Sequence, residues 1–109
     1  MPAEADKFLW DAKEAAARIL RFTAGKNFDD HQADEILRAA VERQFMTRGE
    51  ALSRLRQLDA ALAGLITDLP RAVALRNVLV HAYAETDDVV VWGVVRGQLG
   101  TLLSELEKL

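Results

Sequence analysis

Hydrophobic residues recur at the spacing of α-helices in four separate stretches of the chain. The four predicted helices span about 5–24, 34–55, 69–83 and 88–108. The polar connections between them are short, which favours antiparallel packing of neighbouring helices. The pattern therefore predicts an all-α protein, an up-down antiparallel four-helix bundle in which residues 1–109 form a single domain.

Residues at the predicted helix ends support these boundaries. Gly25 stands where the first helix would end in a left-handed turn, and Asp34 and Asp87 are suitable N-caps for the second and fourth helices. Pro70 fits the first turn of the third helix. The pattern leaves two points open: whether 26–33 contains a short helical turn, and whether 58–67 extends the second helix or forms a separate turn.

Small residues at helical spacing distinguish the fourth predicted helix. They are Gly93, Gly97, Gly100 and Ser104. Because glycine lowers helix propensity by about 1 kcal/mol relative to alanine, one interpretation is a weak helix that packing stabilises. The other interpretation is a groove that admits a second helix at close range, across a dimer.

Composition excludes several classes of protein. The chain has no cysteine, which excludes disulfides, thiolate metal sites, iron–sulfur clusters and a cysteine nucleophile. The first residues lack the basic and apolar regions of a signal peptide, and no apolar run approaches the ~18 residues of a membrane span. We therefore expect a soluble, cytoplasmic protein without membrane association.

Positive charge is concentrated in the middle of the chain. The net charge is −3, yet residues 38–84 carry seven arginines against four acidic residues. One interpretation is a solvated helical face with local ion pairs, and the other is a cleft that binds phosphate through guanidinium groups. The sequence leaves open whether Arg38, Arg43 and Arg48 face a cleft or the solvent.

One segment of the third predicted helix carries the candidate chemistry. It holds Arg76, Asn77, His81 and Tyr83 within eight residues. At about 100° per residue, Asn77 and His81 share a helix face, and the long side chain of Arg76 can reach toward it. The intervening apolar residues, 78–80, are expected to supply the buried side of this helix.

These side chains suit the cleavage of a phosphodiester. An imidazole exchanges protons near neutral pH, a guanidinium stabilises negative charge on phosphate oxygens, and an amide orients either group. In RNA the 2′-hydroxyl is a built-in nucleophile. Metal chemistry has little support, because His31 and His81 are the only histidines and lie far apart in sequence. Judged by its residues alone, such a cluster on a helix is more often structural than catalytic.

A family resemblance favours the catalytic interpretation. The pattern Arg-Asn-x-x-x-His-x-Tyr over 76–83 resembles the signature of the HEPN superfamily, and its HepT-like branch of small ribonuclease toxins in particular. The resemblance covers nearly the whole chain. Further similar segments are 8–12, 19–25, 28–30, 40–44, 49–52 and 87–92.

The resemblance implies a homodimer that cleaves RNA endonucleolytically without metal or cofactor, leaving 2′,3′-cyclic phosphates. It implies that His81 is the acid–base, that Arg76 stabilises the phosphate and that Asn77 supports both. It also implies neutralisation by an MntA-like nucleotidyltransferase antitoxin, which adenylates Tyr83. The alternative is a non-catalytic helical binding partner of a nucleotidyltransferase.

The chain departs from the family pattern at a few positions. Arg48 stands where an apolar residue is usual, and it adds either a phosphate contact or a change in packing. Leu69 replaces an aromatic residue at the start of the third helix, and the fourth helix is unusually rich in glycine. These last two features bear on the geometry of the dimer and not on the motif.

Overall fold

The computed structural model describes residues 3–81 and 87–109, and these residues form seven α-helices without a β-strand. The helices are α1 (Ala3–Thr23), α2 (Phe28–Ala33), α3 (Glu35–Leu58), α4 (Ala60–Ala63), α5 (Leu69–His81), α6 (Asp88–Arg96) and α7 (Gln98–Glu107). The predicted all-α helical bundle is confirmed: α1, α3, α5 and the pair α6–α7 are its four long members. Among the described residues, no helix is long and apolar enough to cross a membrane.

The residues expected at helix ends occupy those positions. Gly25 follows α1 with φ of 72°, the left-handed conformation that glycine adopts most easily. Asp34 accepts a hydrogen bond from the backbone N–H of Leu37 at 3.0 Å, and Asp87 accepts one from that of Val89 at 3.0 Å. Both carboxylates thus satisfy donors that a helix N-terminus leaves unpaired.

The connection after α1 contains a short helix with its own cap. The side-chain oxygen of Asn27 accepts from the backbone N–H of Asp30 at 2.9 Å, and the Asp30 carboxylate accepts from that of Asn27 at 3.0 Å. This reciprocal capping box begins α2. Farther along, Asp59 ends α3 and caps α4 through the N–H of Leu62 at 3.0 Å, so the segment after Leu58 is a separate turn.

The fourth predicted helix is divided into two. Gly97 separates α6 from α7 with φ of −108° and ψ of −69°, although its N–H still donates to the carbonyl of Gly93 at 3.0 Å. Glycine has low helix propensity, and three glycines lie within eight residues here. The break is therefore a local consequence of composition.

Helix α3 is the centre of the bundle. It packs against α1 and α5, while α2 and α4 lie on its ends and α6 and α7 contact α1. Two clusters of buried residues form the core. The first joins α1, α3, α4, α5 and α7, and the second joins α1, α3, α6 and α7. The largest fully buried side chains are Ile19, Phe45, Leu52, Leu55, Leu69, Leu99, Leu102 and Leu106.

The expectation that residues 78–80 supply the buried side of the third helix is wrong. Val78 is 54% exposed and Val80 is 43% exposed, and only Leu79 packs against the second core cluster. The reason is the position of α5, whose main neighbour is α3. Its buried residues Leu69, Ala72 and Val73 lie in its first turns, and much of its later surface is open.

Candidate active site

Helix α5 carries the three candidate catalytic side chains in its last turns. It remains helical from Leu69 to His81, so Asn77 and His81 share a face, one turn apart. Nη1 of Arg76 donates a hydrogen bond to Oδ1 of Asn77 at 2.9 Å. Asn77 and His81 are exposed, and Arg76 is half-buried. The site therefore combines an anchored guanidinium with an imidazole that is open to solvent.

A close approach of two helices fixes the backbone at Arg76. A Cβ atom at Gly49 would overlap with Cβ of Arg76 and would lie only 2.9 Å from the carbonyl oxygen of Ala72. Only glycine allows α3 and α5 to meet at this distance. The cost of Gly49 to helix propensity, about 1 kcal/mol, is thus offset by tight packing beneath the motif.

Glu50 orients the Arg76 side chain from across this helix contact. One carboxylate oxygen of Glu50 lies 2.9 Å from Nη2 of Arg76, and the other accepts from Nε of Arg54 at 2.9 Å. Arg76 is therefore held by a carboxylate on α3 and an amide on α5. The Glu50 side chain is 41% exposed, so solvent still reaches this arrangement.

An open groove of about 370 Å³ lies beside Arg76. Residues of α1, α3 and α5 form its walls. They are Phe8, Asp11, Arg43, Met46, Thr47, Glu50, Ala51, Arg54, Arg76 and Val80. Three of these residues are arginines and two are acidic, so the groove has a positive balance on a protein of net charge −3.

The structure resolves the position of the three arginines that the sequence left open. Arg43 lines the groove. Arg38 lies 4.0 Å from the carboxylate of Asp88 and donates to the carbonyl of Gln32, so it serves the contact between α3 and α6. Arg48 is buried, which excludes the phosphate contact and leaves a change in packing.

Burial changes the chemistry of Arg48. It is 2% exposed, its guanidinium carbon lies 4.7 Å from the centre of the Phe45 ring, and its Nε has no hydrogen-bond partner among the described residues. Burial lowers the pKa of Arg48 to about 10, although Asp68 acts in the opposite direction. The side chain therefore remains protonated at neutral pH in an apolar setting.

His31 lies away from the motif. It is fully buried in α2, and its ring centre lies 5.0 Å from that of Trp92 on α6. Neither of its ring nitrogens has a hydrogen-bond partner within 3–81 and 87–109. Burial lowers the pKa of His31, Asp88 raises it and Arg38 lowers it, with a lower pKa as the result. His31 is thus a neutral core residue at pH 7.

The described residues do not test two of the expectations, the role of Tyr83 and metal independence. Tyr83, expected to accept AMP, lies outside the described residues. Metal independence stays a prediction, although His, Asp and Glu side chains in the described ranges form no group of three that could hold a metal ion.

Sequence reasoning missed Glu50 and Arg54 as site residues. Their i, i+4 spacing on α3 is visible in the sequence and is typical of a surface ion pair. The contact of Glu50 with Arg76 joins residues more than twenty positions apart, and no local pattern indicates such a contact. The signal would have been Gly49 within a helix, since it marks a close approach.

Comparisons with known proteins identify the family to which this helical bundle belongs. The model of the family described as "Ribonuclease HepT-like" matches residues 12–109. The chain is also 28% identical over 102 residues to the Methanocaldococcus jannaschii protein named "Putative RNase MJ1380", covering 92% of this chain and 91% of that protein. No solved structure matches the chain. Because the family model covers most of the chain, including Arg76, Asn77 and His81, the protein belongs to the ribonuclease HepT-like family.

Proposed function

We propose that this protein is a metal-independent endoribonuclease with His81 as the acid–base, Arg76 as the phosphate-stabilising group and Asn77 as the supporting residue. The observation that carries the proposal is the arrangement on α5. Arg76 is held by Glu50 and Asn77, and His81 is exposed one turn beyond Asn77. Family membership and the name of the archaeal relative give independent support.

The proposed reaction is a transesterification within the RNA. His81 removes the proton from a 2′-hydroxyl, and the resulting oxygen attacks the adjacent phosphorus. Arg76 stabilises the charge that develops on the non-bridging oxygens. The bond from phosphorus to the 5′-oxygen breaks, and that oxygen takes up a proton. The products are a 2′,3′-cyclic phosphate and a 5′-hydroxyl.

The test of the activity is cleavage of RNA in EDTA by wild-type protein, His81→Ala and Arg76→Gln. We expect wild-type cleavage to yield 2′,3′-cyclic phosphate ends. His81→Ala should reduce the rate by about 10²–10⁴-fold, and Arg76→Gln by about 10²–10³-fold, as expected for loss of an acid–base and of an oxyanion partner.

Arg71→Gln is the matched control, because Arg71 lies on the same helix with a side chain that is 70% exposed. It should cleave like the wild type. Equal rates for His81→Ala and wild type would refute the proposal.

The proposal includes a homodimer. The reaction needs a base and an acid, but each chain offers one motif histidine. Two His81 side chains across a two-fold axis supply both roles. The exposed valines of α5 and α6, Val78, Val80, Val89 and Val90, are compatible with such a contact.

The proposal also includes regulation by an MntA-like nucleotidyltransferase that adenylates Tyr83. A bulky anion two residues after His81 would exclude RNA and offset the charge of Arg76. Incubation of the protein with this partner and ATP should add mass in AMP units, located at Tyr83 by peptide mass spectrometry. The modified protein should lose cleavage activity, and a Tyr83→Phe variant should retain activity and gain no mass.

The second candidate function is a non-catalytic binding partner of a nucleotidyltransferase. The guanidinium of Arg76 already contacts Glu50 and Asn77, which compete with a phosphate for it, and this favours the second function. Folded, unmodified protein that binds the nucleotidyltransferase and cleaves no RNA would establish this function instead.

A further inference from the structure

Arginines outnumber acidic residues in the groove beside Arg76, which Asp11 and Glu50 also line. Arg43 and Arg54 line it together with Arg76. Other arginines of the basic segment have different roles: Arg38 lies near Asp88 and Arg48 is buried. Only some arginines of the basic segment therefore line the groove, and these lie next to the proposed catalytic residues.

Glu50 already shows how an anion fits between two of these arginines. Its two carboxylate oxygens lie 2.9 Å from nitrogens of Arg54 and Arg76, one oxygen for each side chain. A phosphate also presents separate oxygens to separate guanidinium groups. Arg54 and Arg76 are thus close enough for one anion to contact both.

Arg43 extends the same surface along α3. Arg43, Thr47, Glu50 and Arg54 lie at i, i+4, i+7 and i+11, the spacing of one helix face. Arg43 and Arg54 are about 16 Å apart along the helix axis, so they cannot share one phosphate. Arg43 has no carboxylate within 4 Å among the residues that the structure describes, which leaves its charge available to a ligand.

The groove also has apolar walls that suit unpaired bases. Phe8 of α1 and Met46 of α3 lie on it between the charged positions, and Phe8 is half-buried and fixed against the first core cluster. Proteins bind single-stranded nucleic acid by combining basic side chains along the backbone with an aromatic or apolar surface for the bases.

We propose that this groove binds the single-stranded RNA flanking the scissile phosphate, with Arg43 and Arg54 each contacting a neighbouring phosphate. The inference rests on the proposed ribonuclease function and assigns it a substrate class. The strand runs along α3, the scissile phosphate lies at Arg76 and His81, and the groove holds the adjoining nucleotides.

Binding is measured separately from cleavage. A fluorescein-labelled single-stranded RNA is titrated with His81→Ala protein, which should cleave it about 10²–10⁴-fold more slowly than the wild type. The dissociation constant is determined by anisotropy at several salt concentrations. For single strands, each phosphate contact contributes about 0.7 to the slope of log affinity against log salt. Arg43→Gln and Arg54→Gln, each added to His81→Ala, should weaken binding and each reduce that slope by about 0.7.

Arg56→Gln is the matched control, since Arg56 lies on the same helix but outside the groove. It should leave the affinity and the slope close to those of His81→Ala alone. Circular dichroism of all variants establishes that each is folded.

The outcomes separate the two proposals. Equal slopes for Arg43→Gln, Arg54→Gln and Arg56→Gln would overturn the groove assignment and leave the ribonuclease proposal intact. Binding that depends on Arg43 and Arg54, in a protein whose wild type cleaves no RNA, would support the groove and refute the catalytic proposal. Absence of RNA binding by folded His81→Ala protein would overturn the groove assignment.

Discussion

At the scale of single residues, Glu50 contributes to the position of Arg76 more than to stability. Ion pairs with this much exposure are worth about 0.2–1 kcal/mol, and the Glu50 side chain is 41% exposed. Arg54 instead holds the Glu50 carboxylate, and this carboxylate orients the guanidinium of Arg76. Glu50 thus acts through Arg76, as a positioning residue.

Glu50→Gln should separate these roles. Without the Glu50 carboxylate, an RNA phosphate has no carboxylate competing for Arg76, so KM for RNA should fall. Since Arg76 loses its partner, kcat should fall as well. The free energy of unfolding should change by less than about 1 kcal/mol. Steady-state kinetics and denaturant unfolding measure the three quantities, and a higher KM with unchanged kcat would contradict the assignment.

The burial of His31 should make the stability of the protein depend on pH. Its pKa is lowered in the folded protein, so the unfolded chain binds more protons as the pH falls below about 6.5. Protonation therefore favours unfolding, and the free energy of unfolding should decrease from about pH 7.5 to about pH 5.5. His31→Phe keeps the contact with Trp92 and removes the titration, so its decrease should be smaller in denaturant unfolding.

Glu42 acts in the opposite direction, because burial raises its pKa, with Asp88 adding to the effect and Arg38 opposing it. Its contribution to stability grows as the pH falls. Both proteins contain Glu42, so the comparison isolates His31. Parallel pH dependences in wild type and His31→Phe would show that burial of His31 has no such effect.

Residue identity predicted the helix ends better than it predicted burial. Asp34, Asp87 and Gly25 act locally, and their roles could be predicted because caps depend on neighbouring backbone. The burial of Arg48 and the exposure of Val78 depend on which helix packs against which. The spacing of Asn77 and His81 was predictable from the helix alone, whereas the contact of Glu50 with Arg76 was not.

At the scale of elements, two kinds of glycine occur in the helices. Gly49 lies where α3 meets α5, and a Cβ there would overlap with Arg76. Gly93 and Gly100 lie on α6 and α7, and a Cβ at either would meet no described residue within 4 Å. Packing requires the first glycine, whereas the other two reduce helix stability without a contact within 3–81 and 87–109.

Alanine substitutions should therefore have opposite signs. Gly49→Ala should destabilise the protein by about 1–3 kcal/mol through overpacking and should slow cleavage by displacing Arg76. Gly93→Ala and Gly100→Ala should each stabilise it by up to about 1 kcal/mol through helix propensity. Thermal and denaturant unfolding measure these changes. Loss of stability or of self-association in Gly93→Ala would show that a second helix occupies this surface.

At the scale of the whole molecule, two motifs must meet if one His81 acts as base and the other as acid. A mixed dimer with one wild-type and one His81→Ala subunit should then lose more than half of the activity. The rate should depend on pH with a bell-shaped profile, because one histidine must be neutral and the other protonated. Tandem purification of differently tagged subunits gives the mixed dimer, and half of the wild-type activity would show that each site acts alone.

The buried guanidinium of Arg48 has a consequence for the evolution of this chain. Replacing a buried, poorly paired charge by a well-packed apolar side chain of similar volume is often neutral or stabilising, and Arg48 is 2% exposed with an unpartnered Nε among the described residues. An exchange of Arg48 for methionine is therefore expected to be neutral or stabilising. Any stability gained would offset the cost of later substitutions around His81, so a lineage with this exchange would tolerate more change at the candidate site.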